Sequence, residues 1–153
     1  MNEDFTIREP GPGDHESWLT MRMALWPSGT VRDHTEEMAQ YLRDQELAVF
    51  LAFDASGEPC GFAEASLRSH AEDCSTRPVG YLEGIHVRPG NRQRGVGRAL
   101  VAAVRAWALA CGCREMASDC LDDNQDSIGF HQRVGFERVE TLVHFRCSLP
   151  PEG

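Results

Sequence analysis

A basic, glycine-spaced loop follows an apolar segment between Tyr81 and Leu100, in the order YLEGIHVRPGNRQRGVGRAL. Four arginines lie in this stretch with no acid among them, namely Arg88, Arg92, Arg94 and Arg98. Glycine lets a backbone approach a ligand closely, and the first N–H groups of a helix have no partner within that helix. A strand, a bare loop and a helix N-terminus in this order therefore predict a site for a phosphate-bearing ligand.

The composition is that of one acidic domain. A chain of 153 residues is long enough for one core, so we expect a single domain over residues 1–153. The net charge is -9, and all 15 basic residues are arginine. Such a chain repels nucleic acids and anionic membranes on average, and it holds no apolar run near the ~20 residues of a membrane span. The N-terminus lacks the pattern of a signal peptide, so we expect a cytoplasmic protein with neither nucleic acid nor membrane as a partner.

The cysteines and histidines give no metal-binding pattern. Without an export signal, the six cysteines are expected to be free thiols. Cys111 and Cys113 have the wrong spacing for a zinc knuckle, and the histidines show no ligand spacing with the cysteines. We therefore expect no metal.

The hydrophobic periodicity predicts the element order β-α-α-β-β-β-α-β-α-β-β, which describes an α/β domain with a mixed sheet. Asp14 is the expected N-cap of the first helix, and Met38, Tyr41 and Leu42 are the expected core face of the second. The predicted strands cover residues 5–8, 47–53, 59–68, 79–87 and 114–118, with one or two final strands between 136 and 148. The predicted helices cover 14–25, 32–44, the segment from 96 to Gly112, and 124–134.

The spacing of Arg92, Gly95 and Gly97 resembles the motif of the GNAT family of acyl-CoA N-acetyltransferases, Q/R-x-x-G-x-G/A between a central strand and a helix. The family's second signature is matched in order by Asn124, Ser127, His131, Gly135 and Phe136. The resemblance covers nearly the whole chain. It implies the GNAT acyltransferase fold, a mixed, mostly antiparallel sheet that is flanked by helices and splayed at its central strands.

The same resemblance implies acetyl-CoA as the acetyl donor and predicts which residues bind it. They lie on the central strand, in the glycine loop with the start of the next helix, and at one later asparagine. These residues are Ile85, His86, Val87, Arg92, Gln93, Arg94, Gly95, Val96, Gly97, Arg98 and Asn124. A backbone N–H group of the strand segment could also stabilise the oxyanion that develops on the thioester.

Short segments across the chain resemble one branch of the family, the aminoglycoside 6′-N-acetyltransferases. They are Leu25-Trp26-Pro27, Leu82-Glu83-Gly84-Ile85, Ala117-Ser118-Asp119 and Asp123-Asn124-Gln125. The branch implies direct transfer of an acetyl group to the 6′-amino group of an aminoglycoside antibiotic, hence resistance, and often a homodimer. One departure is Ala71, which stands near a position where the branch carries an aromatic substrate contact.

Acetylation requires a neutral amine, whereas an amine with a lysine-like pKa of about 10 is mostly ammonium at pH 7. We expect Glu83 and Asp119 to bind the ammonium and to pass its proton to solvent, directly or through water. The alternative is that they are structural carboxylates that cap a loop or helix. Trp26 and Glu140 complete the expected acceptor site, the competing interpretation of Trp26 being a buried core residue. His131 replaces the family's usual tyrosine and could protonate the thiolate, or simply pack in its helix.

Two other functions remain open. The chain could be a GNAT enzyme that acetylates another cationic amine, such as a polyamine or a peptide N-terminus, because an acidic cleft suits any cationic acceptor. It could also bind acyl-CoA as a sensor or partner module without turnover, because the fold alone does not choose between these functions.

Overall fold

The computed structural model describes residues 5–152. Along the chain the elements are β1 (Phe5–Arg8), α1 (His15–Leu25), α2 (Val31–Arg43), β2 (Leu47–Asp54), β3 (Pro59–Arg68), β4 (Val79–Val87), α3 (Val96–Ala110), β5 (Met116–Ser118) and α4 (Gln125–Arg133). A 3₁₀ turn over Pro89–Asn91 separates β4 from α3. The described residues form two compact units, one ending at Asp119 and the other beginning at Cys120.

The first unit contains one sheet with the strand order β1-β2-β3-β4-β5. All neighbouring strands are antiparallel except β4 and β5, which are parallel and pair only from Gly80–Leu82 to Met116–Ser118. Since β5 ends at Ser118, the rest of β4 has only β3 beside it within the described sheet. The predicted fold, a mixed and mostly antiparallel sheet that opens at its central strands, is confirmed.

A β-bulge marks the point where the sheet opens. Ala65 of β3 pairs with Leu82, whereas Glu64 pairs with Gly84, so Glu83 is an extra residue in β4. A bulge bends its strand, increases the local twist and turns side chains in new directions. The bulge therefore separates the paired first half of β4 from its open second half.

Helices cover both faces of the sheet. Gly61 lies against α3, since a Cβ there would come 3.3 Å from side-chain atoms of Leu100 and Val96. The next residue, Phe62, points to the opposite face, where it packs with Trp18 and Met38 of α1 and α2. Burying apolar side chains on both faces stabilises the sheet that carries the site.

Two local predictions were wrong, the inward position of Leu42 and the final strands. Leu42 is 62% exposed, because His34, Met38 and Tyr41 follow the 3.6-residue period more closely and turn inward instead. Asp14 is the N-cap residue of α1, as predicted, although its side chain does not bond to the helix; its carboxylate accepts hydrogen bonds from the Gly11 N–H at 2.6 Å and from Arg8 at 2.7 Å.

The predicted final strands are the second wrong prediction. Residues 136–148 contain no strand, and neither does the rest of the described chain after β5. A strand needs a neighbouring strand for its backbone hydrogen bonds, and this segment has none beside it in the single chain. Its apolar side chains are exposed, namely those of Val139, Leu142, Val143, Phe145 and Leu149.

Two features are absent from the described part of the chain. Among residues 5–152, none of the helices combines the length and the apolar character needed to cross a bilayer. Within the same residues, no three His, Cys, Asp or Glu side chains are grouped so that they could hold a metal ion.

Candidate active site

The loop between β4 and α3 presents a helix N-terminus to solvent. Gln93 and Gly95 adopt left-handed backbone angles, with φ of 62° and 89°. Gly95 immediately precedes α3, and no side chain caps that end of the helix. Because the first N–H groups of a helix carry partial positive charge, this end of α3 favours an anion. Val96 is buried beneath the loop and Gly97 lies half-buried in the first helical turn.

The arginines of the loop add positive charge at the same end of α3. Arg92, Arg94 and Arg98 are exposed. The Arg92 Nε atom donates to the Val87 carbonyl at 2.9 Å, which ties the loop to the end of β4. Positive charge and backbone donors therefore occur together at the N-terminus of α3, as the sequence predicts for an anionic ligand.

The open half of β4 directs two backbone N–H groups away from β3. The Arg88 N–H donates to a β3 carbonyl at 2.9 Å. Because N–H groups alternate sides along a strand, the His86 N–H also faces β3, whereas those of Ile85 and Val87 face the side that β5 has left. These two N–H groups can donate to a ligand that lies along the open strand.

The His86 side chain is half-buried and packs against Phe62, with ring centroids 6.2 Å apart. Burial lowers its pKa below the usual histidine range, and the charges of Arg92 and Arg88 lower it further. His86 is therefore neutral at pH 7.

Glu83, at the bulge, forms hydrogen bonds with two β3 side chains. Arg68 donates from Nε to Oε2 at 3.0 Å and from Nη2 to Oε1 at 2.8 Å, and the Ser66 hydroxyl also donates to Oε2. A bidentate guanidinium fixes both the orientation and the charge of a carboxylate. Glu83 is thus a carboxylate held in a fixed orientation at the opening of the sheet.

Asp119 follows β5 and is connected to the same cluster through Tyr81. The Tyr81 hydroxyl donates to the Asp119 carboxylate, and the Arg68 guanidinium lies 3.4 Å from the centroid of the Tyr81 ring. Burial raises the pKa of Tyr81, and the hydrogen bond to Asp119 raises it further, so the phenol stays protonated as a donor. The two predicted carboxylates are therefore connected through Arg68 and Tyr81.

An acidic cleft of about 380 Å³ opens beside Glu83. Its lining side chains come from the α1–α2 turn, from α2 and from the central strands: Trp26, Ser28, Gly29, Asp33, His34, Glu37, Tyr41, Glu64 and Glu83. A cleft lined by carboxylates concentrates cations from solution. The cleft therefore suits a ligand with several positive charges.

A buried ion pair lies at the base of the cleft. The Arg22 Nη1 atom contacts both oxygens of Glu64, at 2.6 Å and 2.5 Å, and the Trp18 indole donates to Glu64 at 2.9 Å. A second Arg22 nitrogen, Nη2, forms an ion pair with Glu37 on the cleft wall. Both Arg22 and Glu64 are fully buried, so each depends on the other for compensation of its charge.

Trp26 is both packed and available to a ligand. Its ring meets Phe62 edge-on, with centroids 6.0 Å apart, and it lies over Gly84, where a Cβ would come within 2.3 Å of Cζ2. The ring nevertheless remains half-exposed and lines the cleft. Gly84 is required here because any larger residue would displace the indole from β4.

The second unit contains the three remaining predicted residues. The Asn124 side chain accepts from the Ser127 N–H at 3.1 Å and so caps α4. His131 binds the Ser127 carbonyl through Nδ1 at 2.7 Å, and its ring lies 5.4 Å from that of Phe136. Glu140 is exposed in the segment without secondary structure.

Several side chains of the site were missed by sequence reasoning. They are Ser66, Arg68 and Tyr81 around Glu83, and Asp33, His34, Glu37 and Tyr41 in the cleft. A partial signal existed, because Arg22 lies at helical spacing from the apolar Trp18 and Leu25, and Glu64 stands in an apolar β3 segment. Opposite charges at two core-facing positions indicate a buried pair.

The chain matches known proteins over most of its length. The profile of the "Acetyltransferase (GNAT) family" matches residues 15–136. A relative from Stenotrophomonas maltophilia, named "Aminoglycoside N(6')-acetyltransferase type 1", is 46% identical over 95% of both chains. A Klebsiella aerogenes protein of the same name is 41% identical over 97% of this chain and 100% of its own. A solved structure of AAC(6')-Iy with the bisubstrate analogue CoA-S-monomethyl-acetylneamine superposes with a TM-score of 0.90, at 40% identity over 95% of this chain and 99% of that chain.

The lowered pKa of His86 predicts how stability depends on pH. The neutral ring is favoured in the folded state, so the free energy of unfolding should fall as the pH drops through the ordinary histidine range, from about pH 8 to pH 5. In His86→Gln that fall should be smaller, as measured by urea unfolding at several pH values. The exposed His70→Gln variant is the matched control. Parallel curves for wild type and His86→Gln would contradict the assignment.

Proposed function

Because the chain belongs to the GNAT acetyltransferase family, we propose that it transfers the acetyl group of acetyl-CoA to the 6′-amino group of aminoglycoside antibiotics, and so confers resistance. The observation that carries this proposal is the change of charge along β4 and the following loop. Glu83 borders an acidic cleft, whereas the loop beyond Arg88 is basic. A polycationic acceptor and a polyanionic donor would thus bind on either side of the open strand.

The loop residues fit a pyrophosphate. The N–H groups from Gln93 to Arg98 and the guanidinium groups around them would bind its oxygens, and the left-handed Gly95 lets the backbone turn into α3 without a side chain in the way. When bound, acetyl-CoA supplies an acyl carbon activated as a thioester. The N–H groups of Ile85 and Val87 would hold the donor along β4 and stabilise negative charge on the thioester oxygen.

The two carboxylates take different roles in this proposal. Among the described residues, Glu83 accepts three hydrogen bonds from Ser66 and Arg68, whereas Asp119 accepts one, from Tyr81. Glu83 is therefore suited to hold the ammonium group, and Asp119 is better suited to accept its proton. At pH 7 that deprotonation costs about 4 kcal/mol for an amine with a pKa of about 10.

The predicted residues of the second unit complete the proposal. His131 binds a backbone carbonyl through Nδ1, so a proton for the departing thiolate would come from Nε2 of the charged ring. Asn124 would contact the donor and Glu140 the acceptor. We also propose that residues 1–153 act as one domain, because the family profile continues across the boundary between the two units. The reaction would take place in the cytoplasm, which holds acetyl-CoA.

A homodimer is the proposed assembly. Residues 136–148 carry a predicted strand pattern, yet they have no neighbouring strand, and their apolar side chains are exposed. An unpaired extended segment can complete its hydrogen bonds on a sheet edge of a second copy. The segment would then be buried by the partner subunit.

The acceptor class is tested by an amine screen with acetyl-CoA, followed by thiol release. We expect turnover with neamine and none with paromamine, which carries a hydroxyl group at the 6′ position and is otherwise the same molecule. Acetylation of spermidine or of a peptide N-terminus but not of neamine would contradict the proposed substrate. Binding of CoA without thiol release from any amine would instead favour a sensor module.

The division between the two carboxylates is tested by Asp119→Asn and Glu83→Gln. We expect Asp119→Asn to lower kcat by about 10²–10⁴-fold, the usual contribution of an acid–base group, with little change in the KM for acetyl-CoA. Glu83→Gln should mainly raise the KM for the aminoglycoside. An unchanged kcat for Asp119→Asn between pH 6 and pH 9 would refute its role as the base.

The dimer is tested by sedimentation of wild type and of the double variant Val143→Asp/Phe145→Asp. Charges at two exposed apolar positions should prevent burial of the segment, so we expect a dimer for wild type and a monomer for the variant. The Glu152→Gln variant, near the exposed end of the described chain, is the control. A monomeric wild type at micromolar concentration would refute the proposal.

A further inference from the structure

A histidine buried beside the acidic cleft joins α1 to α2. We infer that His34 is a positioning residue that fixes Trp26 for the acceptor, an inference that rests on the proposed function. His34 is 3% exposed and lines the cleft together with Trp26. No step of the proposed chemistry uses it.

The hydrogen bonds of His34 determine its tautomer. Arg22 Nε lies 3.2 Å from His34 Nδ1, and because a guanidinium can only donate, Nδ1 must be the acceptor. The ring proton of the neutral imidazole is therefore on Nε2, which lies 3.1 Å from the Trp26 carbonyl oxygen. His34 thus accepts from α1 with one nitrogen and donates to the residue after α1 with the other.

The bond to Trp26 matters because that residue lies just beyond the end of α1. Its own N–H still bonds to the Arg22 carbonyl at 2.8 Å, but its carbonyl is outside the helix and bonds to the Gly29 N–H at 3.3 Å and to His34. Gly29 permits this arrangement, since a Cβ there would come 2.8 Å from His34 Nε2. His34 is therefore a fixed support for the backbone from which the Trp26 ring projects.

The same network fixes other parts of the cleft wall. The Arg22 guanidinium lies 4.9 Å from the centroid of the Trp26 ring and forms an ion pair with Glu37. An aromatic face and a carboxylate of the cleft are thus held by one buried arginine, whose Nε is satisfied by His34. A flat ring and a fixed negative charge suit an aminoglycoside, which is a sugar that carries ammonium groups.

This arrangement predicts an effect on binding of the acceptor rather than on chemistry. The hydrogen bonds of His34 go to Arg22 and Trp26 and not to Glu83 or Asp119, and the basic loop follows the end of β4. Loss of its bond to Trp26 should weaken acceptor binding, with little effect on kcat or on the KM for acetyl-CoA.

Two substitutions separate the two bonds of His34. The amide oxygen of His34→Asn can replace Nδ1 as the acceptor for Arg22, but its side chain is too short to reach the Trp26 carbonyl. The amide nitrogen of His34→Gln can replace Nε2 as the donor to Trp26, but it leaves the buried Arg22 Nε without its acceptor. His15→Asn, at an exposed histidine in the first turn of α1, is the matched control.

We expect His34→Asn to raise the KM for neamine about fivefold, which corresponds to the loss of one ordinary hydrogen bond. Its kcat and its KM for acetyl-CoA should stay within about twofold of wild type. His34→Gln should keep a nearly normal KM for neamine yet unfold at a lower temperature, because a buried donor is left unsatisfied. A merely structural role would instead make the change in KM follow the loss of stability in both variants, and that result would overturn the inference.

Two measurements separate this inference from the proposed function. If the wild-type protein released no thiol, the proposed acetyltransferase function would be refuted. The role of His34 is tested separately, by calorimetric titration of neamine into wild type and into His34→Asn, which requires no turnover. Equal affinities would overturn it. The ¹⁵N resonances of the His34 ring supply an independent readout: we expect a protonated Nε2 and an unprotonated Nδ1, and the opposite tautomer would also overturn the inference.

Discussion

The short parallel pairing between β4 and β5 is the constraint on which the site depends. It ends at Leu82 and Ser118, where the Ser118 hydroxyl donates to the Leu82 carbonyl at 3.1 Å. Glu83 follows on one strand as the bulge, and Asp119 follows on the other as the first residue beyond the sheet. The same separation leaves N–H groups of the second half of β4 without a strand on one side. One interruption in the sheet thus supplies both carboxylates and the backbone donors.

The buried ion pair between Arg22 and Glu64 is better explained by its orientation of residues that line the cleft than by a contribution to the stability of the fold. Removing two charges from water costs several kcal/mol per ion, and well-packed apolar side chains often serve a core equally well. Here the guanidinium has further partners, the ring of Trp26 and the carboxylate of Glu37, and both line the acidic cleft. A charged core residue can orient surface groups by directed hydrogen bonds, which an apolar residue cannot do.

Local patterns predicted the elements well, whereas contacts between distant segments were not predictable. The bounds of β3 and β4 agree with the sequence because turn residues punctuate both strands, and the glycine loop was recognised because its backbone geometry needs particular residues. The ion pair between Arg68 and Glu83 depends on the register of β3 against β4. The hydrophobic pattern of either strand by itself does not specify that register. The prediction of strands after residue 136 was wrong for a related reason, since a strand also requires a neighbouring strand.

Arginine occupies every basic position of the chain, and this is an advantage in a protein that binds an activated acyl group. A lysine near the thioester would be an amine and, when deprotonated, a competing acceptor for the acetyl group. A guanidinium stays protonated at all working pH values and presents only donors, so it can bind pyrophosphate without offering a lone pair. All 15 basic residues of the chain are arginine, including the four in the basic loop. The guanidinium groups that would bind acetyl-CoA therefore cannot accept its acetyl group. The amine of the bound cationic acceptor would be the group that reacts.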